Sequence, residues 1–178
     1  MAVPEARSVK DLIGKKIGIA TFGDTTDFAV RFALSKAGLD PDKDVALVQV
    51  GSPSTRLAAL KSGAVPATVL GVPDSREAEK FGYRLISDLQ GLGLKYDYGT
   101  IAVTRRLLRE RGDIIRRFVR GYVAGIQHYK RDKEFSLKVM SRYLKGADPS
   151  SLQVAYEYYK KALPVYPYVT QEGTEPVL

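Results

Sequence analysis

Cysteine is absent from the 178-residue chain, tryptophan is absent too, and histidine occurs once, as His128. Without thiols there are no disulfides, no thiolate zinc or iron–sulfur sites and no cysteine nucleophile, and a single imidazole excludes a multi-histidine metal centre. Acid–base chemistry would fall to carboxylates, tyrosine or lysine. No run approaches the roughly 18 to 20 uninterrupted apolar residues of a membrane-spanning helix, and the opening MAVPEARSVK lacks the apolar stretch of a signal peptide, so the chain as written reads as soluble with no export address. Nucleotide and nucleophile signatures are missing as well: there is no GxxxxGK[ST] loop, no GxGxxG after the first strand and no GxSxG elbow. Gly91-Leu92-Gly93 precedes a short polar segment and not a helix, which rules it out as a dinucleotide loop.

What is present is the balance of one globular domain, 44% apolar and 27% charged. The net charge of +8 is unevenly spread. Residues 1–100 hold 13 Lys+Arg against 12 Asp+Glu, a balance of +1, and residues 101–178 hold 15 against 8, a balance of +7. A basic half points to an anionic partner or to one solvated helical face.

Residues 1–13 read as a lead-in. From 14 to 104 short strands and helices alternate. Strands are expected at Lys15–Thr21, Val45–Val50, Pro66–Val72, Tyr83–Ile86 and Thr100–Thr104, and helices at about 26–37, at 56–62, and from the opening Pro73-Asp74-Ser75 to about Phe81. In the first helix Ala29, Phe32, Ala33 and Ala37 share a face, and Gly38 supplies the stop. The repeated order of strand, polar turn and helix argues for a parallel sheet with right-handed crossovers. The period then becomes helical over 105–163, with apolar stripes Ile115/Phe118/Val119/Tyr122/Ile126, Leu137/Met140/Tyr143/Leu144 and Leu152/Ala155/Tyr156/Tyr159/Leu163. Gly146 stops the second helix and Asp148-Pro149 starts the third. The tail, 164–178, is expected to be irregular.

Ligands of parallel sheets sit at the carboxyl ends of the strands. Three polar turns are expected there: Phe22-Gly23-Asp24-Thr25-Thr26, Gly51-Ser52-Pro53-Ser54-Thr55-Arg56 and Gly71-Val72-Pro73-Asp74. Each helix start offers backbone N–H groups suited to a carboxylate, sulfonate or phosphate. The plainer reading is that Thr25, Ser52 and Asp74 only cap their helices; three turns on one edge favour a pocket. His128, near a helix end, has no carboxylate–serine set beside it and reads as a surface histidine. The seven arginines between Arg105 and Arg120 read first as an exposed helix face and second as a nucleic-acid contact. Tyrosines such as Tyr122, Tyr156 and Tyr159 lie on apolar stripes and read as packing.

The ordered series Ser8-Val9-Lys10-Asp11-Leu12-Ile13-Gly14-Lys15-Lys16-Ile17-Gly18-Ile19, Phe22–Phe28, Gly38-Leu39-Asp40-Pro41-Asp42-Lys43-Asp44-Val45, Ala58–Val65, Gly71-Val72-Pro73, Thr100–Thr104, Tyr122–Ile126 and Tyr143-Leu144-Lys145 resembles the solute-binding proteins of ABC importers. Within them it is similar to the nitrate, sulfonate, taurine and thiamine-precursor group. The resemblance implies an α/β periplasmic-binding-protein lobe with a parallel sheet, followed by a C-terminal helical segment, and a role in binding a small polar metabolite without catalysis. It further implies a periplasmic location for the full-length member, an ABC permease as partner and no cofactor or metal. Carried over by position, the ligand-facing residues are Phe22, Gly23, Asp24, Thr25 and Thr26, then Gly51, Ser52 and Ser54, then Gly71, Val72 and Pro73. Asp24 would repel a carboxylate unless it caps its own helix, so a cationic or zwitterionic amine such as a thiamine-like pyrimidine stays open.

The first lobe of that family has no counterpart in these residues, so the chain is expected to be a truncated form completed by a missing lobe or by self-association. Two other readings stand beside this one. One is a basic nucleic-acid-binding protein using the Arg105–Arg120 helix; no nucleic acid is expected on the leading reading. The other is a relative of the pyrimidine-biosynthesis enzymes, whose cysteine-rich motif cannot exist here.

Overall fold

The computed structural model describes residues 1–89, 91–94, 100–144 and 146–174. Two compact units divide the chain, Met1–Leu94 and Lys95–Leu178.

The first unit is built on three parallel strands, β1 (Lys16–Ile19), β2 (Ala46–Gln49) and β3 (Ala67–Thr68), in the order β2-β1-β3. Gly18 of β1 lies opposite Val48 on one side and Thr68 on the other. The central position suits glycine, because a Cβ there would lie 3.1 Å from Thr68 Oγ1, 3.2 Å from Val50 Cγ2 and 3.3 Å from Val65 Cγ2. Three helices follow the strands: α1 (Thr25–Lys36), α2 (Pro53–Lys61) and α3 (Asp74–Lys80). Pro53 opens α2 with its φ preset and its missing N–H harmless at that position. Gly38, at φ +78°, follows the end of α1, where a side chain would be strained.

Leu12, Ile17, Ile19, Val30, Leu34, Val45 and Ala67 make the main core, joined by Ala2 and Ala6 of the lead-in. Burying side chains such as Ile19 and Leu34 contributes about 1.5 to 3 kcal/mol each. The inward face of α1 is rotated from the expected one: Asp27, Ala29, Val30 and Leu34 are buried, while Phe32 is half-buried and stacks on Phe28. The larger aliphatics take the core and the aromatics its margin.

The strand expected at Tyr83–Ile86 reduces to one bridge. Ala2 runs antiparallel between Ala67 and Arg84, and exchanges backbone hydrogen bonds of 2.8 Å with Arg84. The lead-in thus occupies the place beside β3 that a further parallel strand would need.

In the second unit α4 (Arg105–Glu110), α5 (Gly112–Arg131), α6 (Lys133–Tyr143), α7 (Pro149–Ala162) and the short α8 (Gln171–Thr174) follow one another. The strand expected at Thr100–Thr104 is not formed. Ile101 and Val103 are exposed, and Thr104 instead caps α4, its hydroxyl accepting the Leu107 N–H at 3.1 Å. β-prone residues make a strand only where a ladder exists to pair them. Arg111 leaves helical geometry and separates α4 from α5. Asp148 caps α7 through the Ser151 N–H, and Pro149 takes the first helical position, as expected.

Only one of the three helical stripes becomes core along most of its length: Leu152, Ala155 and Tyr156 are buried. The Tyr156 ring lies 5.1 Å from that of Tyr129. Burial, with the neighbouring Tyr156, Tyr159 and Glu157, pushes the Tyr129 hydroxyl pKa up to about 12. In the α5 stripe Ile126 is buried, but Phe118, Val119 and Tyr122 are exposed. Tyr143 of the α6 stripe is also exposed. Lys145 and residues 95–99, within the expected motif and polar stretch, lie outside the described residues. Among the described residues no helix is long and apolar enough to cross a membrane.

Candidate functional site

Because β1, β2 and β3 are parallel, their carboxyl ends lie on one edge of the sheet, and the residues after Ile19, Gln49 and Thr68 are the three polar turns. Two side chains tie these turns together. Gln49, the last residue of β2, accepts at Oε1 from the Thr21 hydroxyl and from the Phe22 N–H at 3.0 Å. Arg56, 5% exposed, donates from Nε to the Val69 carbonyl at 3.0 Å and from Nη1 to the Gly51 carbonyl. The turn after β2 is thereby held to the chain leaving β3, and the turn after β1 to β2.

In the first turn Asp24 is the N-cap of α1. Its Oδ1 accepts from the Thr26 N–H at 2.8 Å, the Thr26 hydroxyl at 2.7 Å and the Asp27 N–H at 3.1 Å. Burial disfavours the Asp24 anion, but these donors and the Arg56 charge outweigh it and hold its pKa below the usual carboxylate range. The buried Asp27 accepts the Gly23 N–H at 2.8 Å and pairs with Arg31 at 2.9 Å. The amides of Gly23, Thr26 and Asp27 are therefore engaged by the chain's own carboxylates. This corrects the expectation that the α1 start offers its N–H groups to an oxyanion; Asp24 spends its charge on the helix it caps.

The second turn is arranged differently. Ser52 caps α2, accepting the Thr55 N–H at 3.3 Å, and its hydroxyl lies 3.0 Å from that of Ser54 and 2.5 Å from that of Thr55. Three hydroxyls of exposed residues are thus clustered at the start of the helix that carries the buried Arg56. In the third turn Val72–Pro73 is a cis peptide, and the first N–H groups of α3 are used internally, Ser75 to the Gly71 carbonyl at 2.9 Å and Arg76 to the Pro73 carbonyl at 3.0 Å. Asp74 is the first residue of α3, with Pro73 in the cap position. Burial raises the Asp74 pKa, with a further push from Glu77, against its own backbone N–H and Arg56.

All eleven expected positions lie on this edge. Phe22, Gly23, Thr25, Ser52, Ser54 and Gly71 are exposed, and Asp24, Thr26, Gly51, Val72 and Pro73 half-buried. Gln49 and Arg56 were not among them. The signal for Arg56 was its spacing, four residues before the buried Leu60 and so on the inward face of α2. An arginine there must find polar partners inside.

Chemically the edge offers hydroxyl donors and acceptors, with one guanidinium, Arg56, acting on two carboxylates, Asp24 and Asp74. Among the described residues no group of three or more His, Asp or Glu side chains is placed to hold a metal ion. His128 lies on α5 of the other unit, exposed, 4.0 Å from Asp132 and edge-on to Phe135.

A small parallel sheet flanked by helices, with its turns gathered on one edge, defines an α/β fold of the periplasmic-binding-protein kind. The chain superposes on the alkanesulfonate-binding protein SsuA of Xanthomonas axonopodis pv. citri, bound to MOPS, with a TM-score of 0.75 and 23% identity over 88% of this chain and 53% of that one. It also superposes on the periplasmic aliphatic sulphonate-binding protein SsuA of Escherichia coli, with a TM-score of 0.67 and 19% identity over 89% of this chain and 53% of that one. The desulfurization enzyme DszB shares the fold more loosely, at a TM-score of 0.51 and 15% identity over 99% of this chain and 74% of that one. At these identities the likeness is one of fold. The sequence matches the NMT1/THI5-like family over residues 4–134, and the chain belongs to that family. It spans about half the length of the SsuA proteins it matches. No curated protein matches the sequence.

Proposed function

We propose that the chain is the solute-binding part of an ABC importer's binding protein, taking up a small polar metabolite at the carboxyl edge of its sheet without bond chemistry. The observation that carries this reading is the gathering of the turns after β1, β2 and β3 on one edge, braced by Gln49 and Arg56. A braced edge is preorganised, so little ordering cost attends binding. The hydroxyls of Ser52, Ser54 and Thr55 supply the orienting polar contacts. With Asp24 committed to its cap, the edge suits a sulfonate or a thiamine-precursor pyrimidine as solute. Its family fits a periplasmic full-length protein whose two lobes close on the solute and present it to a permease.

Thermal unfolding of the chain with MOPS, simple alkanesulfonates and thiamine-precursor pyrimidines tests this reading. A ligand at a hundredfold its dissociation constant stabilises by about 2.7 kcal/mol. We expect one class to raise the midpoint and Ser52→Ala/Ser54→Ala to abolish that rise. The compound should be recovered unchanged by mass spectrometry, in contrast to a desulfurization enzyme. No shift with any of them at millimolar concentration overturns the proposal.

A further inference from the structure

The carboxyl edge of the sheet has a sign as well as a shape. Asp24 caps α1 with one oxygen only: Oδ1 takes the Thr26 N–H, the Thr26 hydroxyl and the Asp27 N–H, while Oδ2 accepts no hydrogen bond among the described residues. Asp74, in the third turn, has only its own backbone N–H as a donor among the described residues. A carboxylate accepts at about four lone-pair sites, so both groups keep capacity for a further donor.

The charges around them do not cancel. Arg56 is the one cation that acts on both carboxylates, and it also serves the Val69 and Gly51 carbonyls. The neighbouring Asp27 brings no surplus cation, because Arg31 pairs with it at 2.9 Å and with Asp42 at 2.8 Å. The turns after β1 and β3 thus carry more negative than positive charge. Asp74 registers the imbalance: burial and Glu77 raise its pKa despite Arg56, as for an anion short of counter-charge.

An oxyanion meets the wrong field here. The amides of Gly23, Thr26 and Asp27 are already held by Asp27 and Asp24, so a sulfonate brought to the start of α1 would face a carboxylate oxygen in place of those donors. A cation gains the charge-assisted bonds that the two carboxylates leave unmade. Phe22 adds to this in the same turn: it is 53% exposed, its N–H is fixed by Gln49, and an aromatic face attracts a cation.

We infer that the solute taken up at this edge carries a cationic donor group, a protonated amine or an amidinium, bound by Asp24 Oδ2 and the Asp74 carboxylate beside the Phe22 ring. Asp24 then determines specificity by charge, occupying with its own oxygen the helix start that an anion would need. The inference rests on the solute-binding reading and narrows it away from sulfonates.

The test uses the full chain with benzamidine, its neutral isostere benzamide, and benzenesulfonate, read by thermal unfolding and by titration calorimetry at constant ionic strength. Benzamidine should raise the midpoint and bind at least about tenfold more tightly than benzamide. Asp24→Asn, which keeps a capping oxygen, and Asp74→Asn should each weaken benzamidine about tenfold and leave benzamide unmoved, each variant being compared with its own unliganded midpoint. Asp42→Asn, an exposed position that precedes β2 and so lies toward the opposite edge, should change neither. A benzamidine affinity no greater than that of benzamide, or one that both edge variants leave intact, overturns the inference. If benzenesulfonate or MOPS raises the midpoint and benzamidine does not, the solute-binding reading stands and the sign assigned to the solute is wrong. If no probe of either charge binds, both fall.

Discussion

Replacing Arg56 by leucine isolates the brace between the turns. The side chain is buried, and its guanidinium serves the Val69 and Gly51 carbonyls while facing Asp24 and Asp74. Leucine fills much of the volume but donates nothing. Hydrogen bonds to a charged group contribute about 1.5 to 3 kcal/mol each, and removing one member of a buried charged cluster costs about 3 to 5 kcal/mol. These figures overlap in what they count, so the expected loss is about 3 to 5 kcal/mol. Urea unfolding of the full chain, followed by hydrogen exchange at the Ile17 and Ile19 amides in the sheet, reads the stability of the first unit separately from the helices. Arg56→Lys keeps the charge but not the fork, and should fall between the two. A loss below about 1 kcal/mol for Arg56→Leu would refute the reasoning, because it would mean the two carbonyls find water or other donors at no cost.

Three further perturbations follow from particular contacts. Gly18→Ala should cost about 1 to 3 kcal/mol in urea unfolding, because Thr68 Oγ1, 3.1 Å from the new Cβ, is itself tied to the Gly18 carbonyl at 2.7 Å and cannot step aside. In the second unit Tyr156→Ala should cost about 3 to 5 kcal/mol and Tyr156→Phe under about 1, since the ring is fully buried while its hydroxyl makes only a 3.5 Å contact with the Lys130 carbonyl. Asp24 and Asp74 should give pH dependences of opposite sign. The Asp24 pKa is lowered on folding, so its contribution is present above the usual carboxylate pKa and is lost as pH falls through the folded value; the raised Asp74 pKa makes its anion unfavourable, and acidification relieves it. Asp24→Asn should therefore lower stability at neutral pH and flatten the acid-side loss, whereas Asp74→Asn should not lower it; a pH series of urea midpoints showing the same sign for both would contradict this account.

The helices were legible where local chemistry decides them. Asp24, Ser52, Asp148 and Pro149 announce their helix starts, because a capping side chain acts on N–H groups two or three residues away. The two lost strands show where local signals stop. Tyr83–Ile86 and Thr100–Thr104 have strand-forming residues, but Ala2 takes the place beside β3, and Ile101 and Val103 have no ladder to join. The same holds at the candidate site. The turns could be placed from their glycines, prolines and hydroxyls, whereas the bracing by Gln49 and Arg56 could not, because Gln49 reaches Thr21 and Arg56 reaches Val69, partners that only the folded sheet brings near.

By itself, then, the sequence determined the alternation of β1 to β3 with α1 to α3, the helical second half, the exclusion of thiol and multi-histidine chemistry, and the +7 charge of residues 101–178. These depend on residue type and near-neighbour spacing. Only the tertiary structure decided that Arg56 is a buried brace and that the apolar stripe of α5 is covered at Ile126 and bare at Phe118, Val119 and Tyr122. Each of these depends on which residues distant in the chain come within a few ångströms, and periodicity identifies an apolar face without saying what covers it.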